Sequence, residues 1–208
     1  MRGFFISVEG SDGSGKSTQI KKIEAYLKKM NQEILLTREP GGTVISEKIR
    51  ELLLDPSNQA MKAKTEMLLY AAARAQHLEE FILPNLAQGR SVLTDRFTDS
   101  SIAYQGFGRE LGEVVAEVNF IATGGISPDI TFFLELPPDV GIARKKAEEN
   151  HTMDRLEMEK QEFHQRVYNG YKTLCDLQGQ RICRIDATQD IDAVFAQIQA
   201  GLDRLFGF

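Results

Sequence analysis

Gly10, Gly15, Lys16 and Ser17 fall in the spacing GxxxxGK[ST] within EGSDGSGKST, residues 9–18. Residue types in that order suit a turn that wraps backbone N–H groups around a phosphate. Glycines let the chain approach an anion closely, and the first N–H groups of a following helix have no internal partners. Lys16 offers a point charge for the outer phosphates of a nucleoside triphosphate, Ser17 a hydroxyl able to ligate magnesium, and Thr18 support for the helix start. The bland alternative, a glycine-rich turn with a chance lysine, is weighed against by context, because an apolar run precedes the motif and an amphipathic stretch follows it. By itself the pattern defines a nucleoside triphosphate site shared by GTPase switches, motors, ATPases and small-molecule kinases.

Three other segments carry groups suited to a second phosphate compound. LLTREPGG (35–42) sets Arg38 and Glu39 at a strand end, where open α/β folds bind ligands; a surface Arg–Glu pair is the alternative. SVLTDRFTDSSIAYQG (91–106) ends another strand with Asp95 and Arg96, an acid to organise magnesium beside an arginine able to clamp a phosphoryl group through two oxygens. Asp95 could instead simply pair with a neighbouring base. LLYAAARAQ (68–76) puts Tyr70 and Arg74 four residues apart on one helical face, a ring for stacking a nucleobase and a guanidinium for its carbonyl edges. A core tyrosine with a surface arginine is the competing reading.

These groups need a scaffold that gathers strand ends. Short apolar runs at 4–10, 33–39, 91–96, 130–136 and 181–187 alternate with helical spacing at 16–30, 43–54, 60–88, about 98–105, 110–123, 138–150, 155–179 and 190–206. The alternation predicts parallel βαβ units, with five strands covered on both faces. Length fits one domain over 1–208, and neither repeats nor a linker divides it. The charged stretch 143–157 suits a mobile surface segment or a plain solvated helix end.

Composition narrows the partners. With 25 basic against 30 acidic residues and a net charge of −5, the overall field repels nucleic acid, so an anionic ligand must be held by local positive charge. Cys175 and Cys183 lack a CxxC spacing and suit packing in a reducing cytosol. No stretch approaches the ~20 apolar residues of a membrane span, so a soluble, cytoplasmic protein without membrane or nucleic-acid partners is expected. His77, His151 and His164 are scattered without metal-ligand spacing. The absence of an NKxD segment weighs against a GTP-binding switch.

EGSDGSGKST, TREPGG, YAAARAQ, DRFTDSSIAYQG and PDITFFLEL, in this order, resemble the bacterial type of thymidylate kinase across essentially the whole chain. The resemblance implies a nucleoside monophosphate kinase-like P-loop fold with strand order 2-3-1-4-5, a lid at about 141–157 and a homodimer. It implies magnesium-dependent transfer of the γ-phosphoryl group of ATP to thymidine monophosphate, giving the diphosphate for dTTP synthesis. ATP would lie on Gly10, Ser11, Asp12, Gly13, Ser14, Gly15, Lys16, Ser17 and Thr18, with magnesium on Ser17 and Asp95. Asp12 would face the acceptor, Arg38 and Arg96 hold the monophosphate, and Tyr70, Arg74, Ser101, Tyr104 and Gln105 form the nucleoside pocket. Some relatives carry arginine where this chain has Gly13, so positive charge at the transferred phosphate must come from the lid; Arg144 and Arg155 are preferred over Lys145 and Lys146 for their planar forks. A kinase for another nucleotide is the alternative within enzymes.

Overall fold

The computed structural model describes residues 2–147 and 153–208. Five strands, β1 (Phe5–Glu9), β2 (Ile34–Arg38), β3 (Ser91–Asp95), β4 (Ile130–Glu135) and β5 (Ile182–Asp186), form one parallel sheet in the order β2-β3-β1-β4-β5. Each lies within the stretch expected from sequence, trimmed by a residue or so at its ends.

Along β1, Phe5 faces one helical layer while Ile6 and Val8 face the other; Phe133 and Phe132 divide in the same way on β4. Successive strand residues point to opposite faces, so strands covered on both sides are mostly apolar; the buried Ser7 and Thr131 bond each other across β1 and β4. One layer packs α1 (Lys16–Lys29) and α9 (Ile191–Phe206) on the sheet through Ile23, Leu27, Val194, Ile198 and Leu202. The other layer contains α3 (Ala63–His77), a wider π-helical stretch (Leu78–Ile82), α4 (Leu83–Ala87) and α8 (Gln161–Leu177).

Register sets up the functional edge. Val8 and Arg38 both lie beside Asp95, so the carboxyl ends of β1, β2 and β3 finish level. The segments leaving them, including α2 (Val44–Leu54), α5 (Thr98–Ser101) and the π-helical Ile102–Gly108, crowd the same edge. α6 (Val114–Thr123) packs against α3, and α7 (Pro138–Lys146) follows β4 and packs against α8.

Two helical expectations need correction. The stretch 155–179 becomes helical only at Gln161, because Asp154 Oδ1 accepts the N–H groups of Leu156 and Glu157 and turns the chain locally. The segment at 110–123 starts its helix at Val114, after Gly112 adopts a left-handed backbone. Of the expected lid, residues 148–152 lie outside the described residues.

Candidate active site

The loop after β1 is shaped by glycine at two points. Gly15, at φ +91°, starts α1 from a conformation that other residues adopt at a cost. Gly13 has φ +77°, and a Cβ there would stand 2.3 Å from the carbonyl oxygen of Gly141. The start of α7 thus rests directly on the loop. Any side chain at position 13 would collide with that backbone in this arrangement.

Lys16 folds back over this loop, donating from Nζ to the carbonyls of Gly10 (3.1 Å) and Ser11 (3.2 Å), with Asp12 at 3.8 Å. Burial and then the nearby Arg96 lower its pKa. An anion would offset both effects. Gly13, Ser14, Gly15, Ser17 and Thr18 line a cleft with Asp95 and Arg144. Arg144, exposed on α7, reaches the carbonyls of Gly13 (3.4 Å) and Ala187 (3.4 Å). Asp95 has a solvent-sealed Oδ1 without a hydrogen-bond partner, and Ser17 presents an exposed hydroxyl in the same cleft.

A second pocket opens beside it, lined by Tyr70, Arg74, Ser101, Tyr104 and Gln105. Asp12, Glu39, Arg50 and Arg96 line both spaces and mark where they meet. Arg96 NH2 donates to Asp12 Oδ1 (2.8 Å), and its guanidinium lies over the Tyr104 ring. Burial works to raise the Asp12 pKa, but the charges of Arg96 and Lys16 outweigh it and hold the carboxylate at about 2.

Arg74 is a buried residue, not a surface one. Its Nε donates to Glu39 (2.7 Å), NH1 to Ser101 (2.9 Å) and Asn119, and NH2 to the Phe97 carbonyl (3.0 Å). A guanidinium has five N–H donors, so four fixed bonds orient a fifth. Glu39 is itself fixed by His77, whose other ring nitrogen meets Thr37.

Arg155 does not stand at the loop that was expected to receive it. It is buried, donating to Glu66 Oε2 (2.7 Å) and the Leu53 carbonyl (2.8 Å). Glu66 also accepts from Gln105 (2.9 Å) and Arg109 (2.9 Å), and this shell overcomes burial to lower its pKa. Arg155 is thus the second cation on a buried carboxylate that Arg109 already pairs. Arg38, exposed, pairs with Glu47 at 3.0 Å and lines the loop-side cleft rather than the inner pocket.

Sequence reading missed Arg50, Glu66, Arg109, Asn119 and Gly141. A signal for Glu66 existed: Glu66, Tyr70 and Arg74 follow at four-residue steps along one face of α3. Arg109 and Asn119 offered none, because their partners are distant in sequence.

A phosphate loop and an inner pocket lined by a tyrosine ring and buried polar groups, meeting at the carboxyl edge of a 2-3-1-4-5 sheet, define a P-loop phosphotransferase of the nucleoside monophosphate kinase kind. Comparison with known proteins narrows the class. The sequence profile described as thymidylate kinase matches residues 8–198. The thymidylate kinase of Lactobacillus helveticus is 51% identical over 206 residues, covering 98% of this chain and 97% of its own. That of a Geobacillus species is 44% identical over 209 residues, covering 100% of both chains. A crystal structure of thymidylate kinase from Ehrlichia chaffeensis superposes with a TM-score of 0.77 at 31% identity, covering 98% of this chain and 99% of the other. The chain belongs to the thymidylate kinase family. Its reaction is ATP-dependent phosphorylation of thymidine monophosphate to the diphosphate.

Proposed function

We propose that ATP and thymidine monophosphate meet end to end over Asp12 and Arg96. The observation carrying this reading is that these two residues line both the phosphate-loop cleft and the inner pocket. ATP would lie along residues 10–18, its outer phosphates on Lys16. Thymine would stack at Tyr70, with a carbonyl on the remaining Arg74 donor, while Ser101, Tyr104 and Gln105 complete the nucleoside pocket. Arg96 and Arg38 would hold the monophosphate, and Asp12 would fix Arg96 toward the transfer path.

Phosphoryl transfer asks the protein mainly for alignment and neutralisation of charge. Lys16 and Arg96 supply fixed cations, and Arg144 is assigned as the lid cation because it already bonds the phosphate loop. Arg155 is assigned to anchoring the far end of the lid segment on Glu66. The sealed, unpartnered Asp95 oxygen and the Ser17 hydroxyl fit a magnesium ion, which binds through few protein oxygens plus phosphates. When bound, magnesium would neutralise charge on the phosphates.

Two wider assignments accompany this chemistry. Exposed Ile45 and Leu52 on α2, Leu68 on α3, and Phe120 and Ile121 on α6 support a homodimer packed through these helices. No helix among the described residues is long and apolar enough to cross a membrane, and Cys175 and Cys183 are unpaired. We assign the chain to the cytoplasm, with ATP, thymidine monophosphate and a second copy of the chain as its partners.

The test is ATP consumption with thymidylate, deoxyuridylate, uridylate and cytidylate as separate acceptors. Thymidylate should dominate, and EDTA should abolish turnover without unfolding the protein. Faster phosphorylation of cytidylate or uridylate would overturn the base assignment.

A further inference from the structure

Arg96 has a left-handed backbone at φ +72°, a region that arginine occupies only when its surroundings hold it. Its N–H donates to the Val8 carbonyl (3.0 Å), and its own carbonyl accepts from Thr94 Oγ1 (2.9 Å). The next peptide N–H, that of Phe97, donates to Glu9 Oε1 (2.7 Å). Glu9, at the end of β1, is completely buried.

The other oxygen of Glu9 belongs to a compact ring. Glu9 Oε2 is bonded to Ser100 Oγ and to Tyr171 OH (2.9 Å), and those two hydroxyls lie 2.8 Å apart. Arg96 NH1 then donates to both hydroxyls, at 3.2 Å and 3.3 Å. Glu9 therefore grips Arg96 from two sides, by the backbone through Phe97 and by the guanidinium through the ring. Tyr171 comes from α8, the helix after the lid segment, and does not line the nucleoside pocket.

We propose that Glu9, Ser100 and Tyr171 act as a positioning unit for Arg96, holding its guanidinium on the line of phosphoryl transfer and tying that position to α8. This rests on the assignment of Arg96 as a phosphate clamp. The hydrogen count supports the unit. Three oxygen contacts need three hydrogens, the hydroxyls supply two, and a protonated Glu9 supplies the third. Burial and then the neighbouring Asp99 raise the Glu9 pKa to about 7, so the protonated form is populated near neutrality.

A double-mutant cycle tests the unit, using Tyr171→Phe, Arg96→Lys and the pair, each assayed by steady-state kinetics after a thermal melt confirms folding. Tyr171→Phe should lower kcat by about tenfold or more, as small misplacements of reacting groups do, with KM for ATP within about twofold. In the Arg96→Lys background the same change should cost less than about twofold, because a group that acts through Arg96 has nothing left to position. Unchanged kcat in Tyr171→Phe, or equal losses in both backgrounds, overturns the proposal. If Tyr171→Phe does not fold, Ser100→Ala enters the same cycle with the same criteria. Normal turnover in Arg96→Lys would instead sink the clamp assignment, and this inference with it; impaired Arg96→Lys with unaffected Tyr171→Phe sinks this inference alone.

Discussion

In the arrangement proposed above, the two halves of the site are built on different principles. On the donor side, Lys16 bonds to carbonyls five and six positions away, and the cradle is one uninterrupted turn. On the acceptor side, Arg74 reaches partners 23, 27, 35 and 45 positions away, all buried. A local cradle can lose a side chain and keep its shape, because backbone and glycines define it. A buried long-range network cannot, since each partner removed leaves another polar group stranded without water. Function and stability should therefore separate on the donor side and travel together on the acceptor side.

The largest effect expected is Lys16→Ala. Turnover should fall by about a thousandfold or more, as when fixed charges on a transferring phosphoryl group are removed. Unfolding by urea should change little, because the lysine only returns bonds to its own loop. Near-normal turnover, or a large loss of stability, would break the contrast.

Arg74→Ala tests the other half. Arg74 and Glu39 are both about 2% exposed, so deleting one partner leaves a buried carboxylate facing only His77. Removing one member of a buried pair costs about 3–5 kcal/mol, which for a domain of this size lowers Tm on the order of 10 °C. Differential scanning calorimetry measures it. A variant that melts normally and loses only thymidylate affinity would show the acceptor pocket to be as separable as the donor loop.

The same contrast decides what was legible in the sequence. Strand positions, the phosphate loop and the paired Asp95–Arg96 are written in neighbouring residues, where apolar runs and glycine spacing carry the signal. Tyr70 and Arg74 were legible as a helical pair, but not Arg74's burial, which depends on Glu39, Phe97 and Asn119 arriving from elsewhere. Arg155 shows the limit most clearly. Its charge and position suggested a phosphate ligand, while a buried carboxylate on α3, invisible to local reading, had a stronger claim on it. The helix expected at about 98–105 stops inside the π-helical Ile102–Gly108, since wide turns are set by what they pack against.

Glu9 gives a smaller effect with a distinctive pH signature. Burial, then Asp99, raises its folded pKa to about 7, against an ordinary value of 4.5. The folded state holds this proton more tightly than the unfolded chain. Its contribution is therefore complete below the ordinary value and is lost as pH rises through about 7. Each pKa unit corresponds to about 1.4 kcal/mol, so up to about 3 kcal/mol should disappear between pH 4.5 and 8. The other charged or titratable groups facing Glu9 are Asp99, Arg96, Tyr171, Lys16 and Arg181. All remain in Glu9→Gln, so the difference between the two urea-unfolding profiles reports Glu9 together with its coupling to Asp99. Parallel profiles for wild type and Glu9→Gln would show that this carboxyl does not titrate in the window.

The smallest effect on stability, and the sharpest test of separability, is Arg144→Ala. Arg144 lies on the exposed side of α7, and its bonds to the Gly13 and Ala187 carbonyls are long, at 3.4–3.5 Å. Exposed contacts of this kind are worth within about 0.5 kcal/mol, so the melting curve should hardly move. The fork nevertheless stands over the cradle that would carry ATP, where a cation should count for more once a triphosphate is present. KM for ATP should rise several-fold or kcat fall by about tenfold, with KM for thymidylate unchanged. Were Arg144→Ala to shift KM for thymidylate instead, the lid would belong to the acceptor half, and the division between a local donor cradle and a long-range acceptor network would have to be redrawn at α7.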